Sequence, residues 1–108
     1  MDDQEFQTLA DQALFTLSRQ LADAGERLGF ESDFNSGALT VEFEDPPAKF
    51  VVSPNSPVRQ VWVSAHSRSF KLDWDSARHA FVLTATGETL AEFLAGAIAQ
   101  QIGEDVTL

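Results

Sequence analysis

An apolar stripe at helical spacing stands at each end of this chain and alternating runs fill the space between, an arrangement that leaves few folds open. Phe6, Leu9, Ala10, Ala13, Leu14, Leu17, Leu21 and Ala24 recur at three- and four-residue steps. That spacing predicts one amphipathic helix from about Asp3 to Ala24, with Gly25 as its stop. Asp2, Asp3 and Glu5 crowd the first turn, where negative charge complements the helix dipole. Phe15 falls nearly opposite the stripe, so it faces solvent or something outside the core. At the far end, Thr89-Leu90-Ala91-Glu92 is a capping box. Leu90, Phe93, Leu94, Ala97, Ile98 and Ile102 form the stripe that follows it, and Gly103 closes that helix.

Between the helices the period is two. Phe30 to Phe34 alternates, Leu39 to Glu44 alternates, and Ser36-Gly37 predicts a two-residue hairpin turn between them. With that turn Phe34 pairs with Leu39 and Phe30 with Phe43 on the buried face. Glu31 then lies across from Glu42, with Asp33 and Glu44 on the same outer face. Like charges in that position destabilise a sheet by a few tenths to about 1 kcal/mol, which a cation or a basic partner would relieve. Asp45-Pro46-Pro47-Ala48 and Pro54-Asn55-Ser56-Pro57 predict turns around a short strand at Lys49–Ser53. Val58–Ser64 follows with Val61 and Val63 inward and Gln60, Trp62 and Ser64 outward. Phe70, Leu72 and Trp74 alternate on a fifth strand against Lys71 and Asp73, and His79–Thr84 makes a sixth. The expected fold is α+β, a two-layer sandwich with both helices on one face of an antiparallel sheet of about six strands, in a single domain spanning residues 1–108.

Charge narrows the partners. The formal net charge is −10. From Met1 to Asp45 eleven acids face only Arg19 and Arg27, a balance of −9, whereas Pro46 to Leu108 is balanced to −1. Acidity serves solubility in many small proteins, but solubility has no need of this segregation. Such a field repels nucleic acid and anionic lipid and favours cations or basic protein surfaces. No apolar run approaches the roughly 20 residues that span a bilayer. The chain has no cysteine, which excludes disulfides, thiolate zinc sites and a thiol nucleophile and fits a reducing compartment. The acidic start, Met1-Asp2-Asp3, argues against a secretory signal or an Arg-rich transit peptide.

Catalytic patterns are missing. No strand–elbow–helix with flanking glycines presents a serine, and no Gly-rich phosphate loop is present. His66 in a turn and His79 at a strand start read as surface imidazoles. Carboxylates without sulfur or clustered imidazole suit hard cations such as iron, manganese, calcium or magnesium, at shallow and unselective sites. Trp62 is the other candidate. It is either half-buried under a neighbour or an exposed aromatic of the kind enriched among interface hot spots.

Helix, six antiparallel strands, helix, together with Met1-Asp2-Asp3-Gln4-Glu5-Phe6, Leu9-Ala10-Asp11-Gln12, Gln60-Val61-Trp62-Val63, Asp73-Trp74 and Gly87-Glu88-Thr89-Leu90, resembles the bacterial frataxin family, the CyaY-type proteins. The likeness covers essentially the whole chain. It implies a cytoplasmic bacterial protein of iron–sulfur cluster assembly that binds ferrous and ferric iron weakly at its surface. The partners it implies are the cysteine desulfurase and the iron–sulfur scaffold protein, with desulfurase turnover regulated in response to iron and iron donation as a further role. It also implies a monomer, with iron-dependent oligomers as a second state. A pure interaction module that docks a basic partner, with incidental metal binding, is the alternative; a weak ferroxidase is a third reading, disfavoured because no buried di-iron constellation can be drawn from the two helices.

Carried over by position, the resemblance assigns metal binding to Asp3, Asp11, Asp23, Glu31, Asp33 and Glu44. It assigns partner contact to Asp23, Glu26, Glu31, Asp33 and Glu42 along an acidic ridge, and to Gln60 and Trp62 on the sheet. The sequence departs from its relatives at Ser18-Arg19, where an acidic pair is common, and at Ala22, Gly25 and Gly29, which replace further acids. Gln7 stands where relatives can carry histidine, and Ser53 where asparagine is common. The ridge is thinner than usual, so the resemblance implies weaker iron binding or lower stoichiometry.

Overall fold

The computed structural model describes all 108 residues. Its elements run α1 (Asp3–Leu28), β1 (Glu31–Asn35), β2 (Ala38–Glu44), β3 (Pro47–Asn55), a 3-10 turn (Ser56–Val58), β4 (Gln60–Ala65), β5 (Arg68–Asp75), β6 (Ala80–Leu83), β7 (Glu88–Thr89) and α2 (Leu90–Ile102). The strands form one antiparallel meander in the order β1-β2-β3-β4-β5-β6-β7. Both helices contribute their stripes to one core, so the two-layer α+β sandwich of about six strands stands, the count being seven. The extra strand is only two residues long, too short to show a period. It exists because Gly87, in a left-handed conformation, donates its N–H back to the Leu83 carbonyl at 2.8 Å and brings Glu88 opposite Leu83.

α1 outruns its predicted end. Gly25 lies inside the helix, buried, and the stop is Gly29 at φ 87°, whose N–H donates to the Gly25 carbonyl at 2.8 Å. Gly25 is needed for closeness: a Cβ there would stand 2.5 Å from the Phe30 carbonyl oxygen as the chain doubles back into β1. Asp2 caps the other end, accepting from the Glu5 N–H at 2.7 Å.

The hairpin prediction holds in register. Ser36 and Gly37 both adopt positive φ, as a two-residue primed turn requires. Phe34 faces Leu39 and Glu31 faces Glu42. β3 is longer than predicted at both ends. Glu44 pairs with Pro47, which leaves only Asp45-Pro46, joined by a cis peptide, as the turn. At the other end Pro54 pairs with Val61. β2 begins at Ala38 and does not reach Pro54, so no ladder is asking for its missing N–H on that side.

The core is a single cluster of 21 buried residues, and no polar or charged side chain is buried. Phe43 links Phe30 and Phe50 at ring separations of 5.5 and 4.9 Å, and Phe6 meets Phe81 edge-on at 5.9 Å. Each such side chain contributes on the order of 1.5–3 kcal/mol on leaving water. The capping box of α2 forms in both directions, Glu92 N–H to the Thr89 hydroxyl at 3.2 Å and Thr89 N–H to the Glu92 carboxylate at 2.9 Å. The result is a sheet whose inner face is consumed by packing and whose outer face has no helix over it.

Candidate functional site

The outer face of the sheet carries the strand members of both candidate sets. Alternation sends Glu31 and Asp33 of β1, Glu42 and Glu44 of β2, and Gln60 and Trp62 of β4 to the side opposite the core. Glu31 is paired with Glu42, so two carboxylates stand directly across one antiparallel step, and Lys49 of β3 lies beyond Glu42 in the same row. Glu31 has no cation beside it. Its only cross-strand neighbour is another acid, and β1 is the edge of the sheet. Glu31, Ser32, Asp33, Thr40 and Glu42 together line a shallow depression of about 90 Å³.

The helical acids are arranged differently. α1 has 26 residues, and at 1.5 Å rise per residue Asp3 and Asp23 are roughly 30 Å apart. Asp3 is held by the Arg59 guanidinium at 2.8 Å, Asp11 accepts from the Gln7 amide at 2.9 Å, and Asp23 faces Arg27 one turn on at 3.6 Å. All are exposed, so these pairs cost the acids little of their charge. Asp23 and Glu26 stand in the final turns of α1, and the chain passes from there through Gly29 directly into β1. The structure thus brings Glu31, Asp33 and Glu42 onto one patch with Glu44 beside them. Asp3 and Asp11 are spaced out along the helix towards its start.

No three of these carboxylates converge closely enough to make a metal's coordination shell. A hard cation held here would rest on one or two carboxylates and keep much of its water. That donor set fits weakly held iron as cargo and does not fit a resident metal cofactor.

Trp62 is half-buried, and most of what holds it comes from outside its own strand. Its indole N–H donates to the Gln60 side-chain oxygen at 3.0 Å, the Gln60 amide donates to Asp73 at 3.0 Å, and Thr84 reaches the other Asp73 oxygen at 3.4 Å. Lys71, directly opposite Trp62 on β5, holds its ammonium 5.0 Å from the ring centroid. The ring is fixed by a hydrogen-bonded chain that crosses β4 and β5, so little side-chain freedom remains at this position. Lys71, Asp73 and Thr84 are the supporting residues that sequence reasoning missed. The two-residue His66-Ser67 turn, both at positive φ, sets the β4–β5 register and would have placed Lys71 opposite Trp62. Asp33 and Trp62 are three strands and one row apart on this face, roughly 15 Å, a span that one ordinary protein interface covers.

The histidines take no part. His66 pairs its Nε2 with the Ala97 carbonyl at 3.1 Å and meets the Phe50 ring edge-on, tying the β4–β5 turn to α2. His79 lies against Trp74 at 5.0 Å.

The frataxin-like domain family model matches residues 1–104. Among solved structures, a frataxin from Psychromonas ingrahamii, studied as a model for stability modulation within the CyaY protein family, is 29% identical. It superposes with a TM-score of 0.77, the match covering 99% of this chain and 97% of that one.

Proposed function

The chain belongs to the frataxin-like family, and from that premise we propose that it is an iron-responsive regulator of the cysteine desulfurase and scaffold complex, docking through its acidic hairpin. Family membership supports a role related to iron–sulfur cluster assembly; the division of labour among the residues is the proposal. One observation carries it. Glu31, Asp33 and Glu42 form a carboxylate patch with like charges directly opposed, on the same open sheet face as a Trp62 already immobilised by Gln60.

In this reading the patch does two things. It attracts a basic surface of the desulfurase, to which Asp23 and Glu26 add charge from the end of α1 and Trp62 adds a desolvated aromatic contact. It also holds ferrous or ferric iron weakly as cargo, through Glu31, Asp33 and Glu44, with Asp23 at the end of α1 that leads into β1 and with Asp3 and Asp11 as separate weak sites along the helix. Iron and the desulfurase then compete for the same oxygens, and that competition makes the docking iron-responsive. Iron titration followed by amide NMR tests the metal part: the expected shifts fall at Asp23, Glu31 and Asp33. Silence there, with shifts elsewhere, rejects the assignment.

A second reading has support of its own, because no three acids converge into a coordination shell. In it the patch is a dock and metal is incidental. The discriminating measurement is desulfurase turnover in a cluster-assembly assay with and without added iron: an iron-dependent change requires the first reading, and none selects the second. No helix is long and apolar enough to cross a membrane.

A further inference from the structure

β1 is an edge strand whose backbone is half unused. The two-residue turn makes Asn35 and Ala38 a hydrogen-bonded pair. Alternation along an antiparallel ladder then makes Asp33–Thr40 and Glu31–Glu42 hydrogen-bonded pairs as well. Ser32 and Phe34 therefore turn their N–H and C=O groups away from β2, towards the open side of the sheet. The same five residues present Glu31 and Asp33 on the outer face and a half-buried Phe34 on the inner one.

The geometry points to strand addition: β1 receives an extended segment of a partner protein in which Lys or Arg alternates with apolar residues. This rests on the docking role proposed above and names its recognition mode. A strand laid along β1 can hydrogen-bond to Ser32 and Phe34 and places every second side chain opposite Glu31 or Asp33. A cation at those positions neutralises Asp33 and the Glu31 carboxylate that β2 leaves opposed to Glu42. The intervening side chains fall on the inner face, beside Ser32 and Phe34, where an apolar residue extends the core. A second copy of this chain is a poor occupant. Antiparallel pairing of two β1 strands about Ser32 sets Glu31 against Asp33 twice over, so the charge that invites a basic strand also keeps the edge from pairing with itself.

The probe is a short synthetic peptide of alternating lysine and valine, compared with one of equal composition whose lysines are grouped, and with the alternating peptide N-methylated at the amides that would face β1. Strand addition predicts that the alternating peptide binds about tenfold tighter than either control. It also predicts that amide exchange at Ser32 and Phe34 slows on binding. Equal affinity for all three peptides, or no binding at low salt, overturns it. Ser32→Pro gives an independent check, because it deletes an outward N–H without touching the β1–β2 ladder. With the fold confirmed by its melting transition, the expected result is several-fold weaker binding of the alternating peptide, and unchanged binding overturns the inference. Desulfurase binding separates the two levels. If Glu31→Lys and Asp33→Lys weaken it while the peptides show no order preference, docking stands and strand addition falls. If those reversals leave it unchanged, the docking reading itself falls.

Discussion

Gly25 and Gly96 are both helical glycines, and the space around each predicts opposite outcomes for the same substitution. A Cβ on Gly25 meets the Phe30 carbonyl at 2.5 Å, a backbone atom that cannot swing aside, whereas one on Gly96 meets nothing within 4 Å. Overpacking costs typically 1–3 kcal/mol, and alanine's better helix propensity returns at most about 1. Gly25→Ala should therefore lower the urea midpoint, and Gly96→Ala should raise it by the equivalent of about 0.5–1 kcal/mol. Glu92 offers a second test at this scale. The Thr89 backbone N–H bound to its carboxylate, then the Thr89 hydroxyl and Arg78, hold its pKa below the usual 4.5. A group depressed on folding stabilises the protein above its unfolded pKa and loses that contribution as the pH falls through the folded value. The stability difference between the protein and Glu92→Ala should accordingly be full at neutral pH and shrink below about 4.5, measured by urea unfolding at each pH.

At the level of elements, the prediction concerns the hairpin. Glu31→Lys turns a like-charged pair with Glu42 into an opposite-charged one and should stabilise the fold by a few tenths to about 1 kcal/mol while weakening desulfurase binding. Thermal unfolding read beside a binding isotherm checks both signs; a loss of stability would show that the two carboxylates are not in effective opposition. Stability gained together with binding lost would mark Glu31 as part of a site kept at the fold's expense. The same hairpin was the most legible part of the sequence. Ser36-Gly37 admits one turn type, and the turn plus the alternation of Phe30, Phe34, Leu39 and Phe43 fixes which side chains face out. α1 was legible in its stripe but not in its end, because Gly25 looks like a terminator until the returning Phe30 carbonyl is seen. β7 could not be read at all, being a consequence of the Gly87 turn and not of any pattern in Glu88-Thr89. The Trp62 support was hidden for a related reason: Gln60 is near it in sequence, but Asp73, Lys71 and Thr84 arrive from β5 and the segment after β6.

Across the whole molecule, the segregated charge makes salt act in two directions at once. Most of the net charge of −10 sits before Pro46, and Glu31, Asp33 and Glu42 crowd one patch. Self-repulsion on that scale opposes the compact state and is screened as ionic strength rises, the Debye length shrinking from about 30 Å at 0.01 M to about 10 Å at 0.1 M. Salt also weakens the ion pairs Asp3–Arg59, Asp23–Arg27 and Glu92–Arg78, but these are exposed to solvent, where such pairs contribute little. Repulsion therefore outweighs them, and sodium chloride added over this range should raise the melting temperature. The same screening removes the long-range attraction of the patch for a basic surface, so affinity for the desulfurase should fall as the fold grows more stable. Melting curves and binding isotherms recorded across one salt series test the pair together. A melting temperature that does not rise with salt would mean that the acidic half of the molecule is neutralised within its own chain, and an affinity that salt leaves unchanged would mean that the patch is not what the partner recognises.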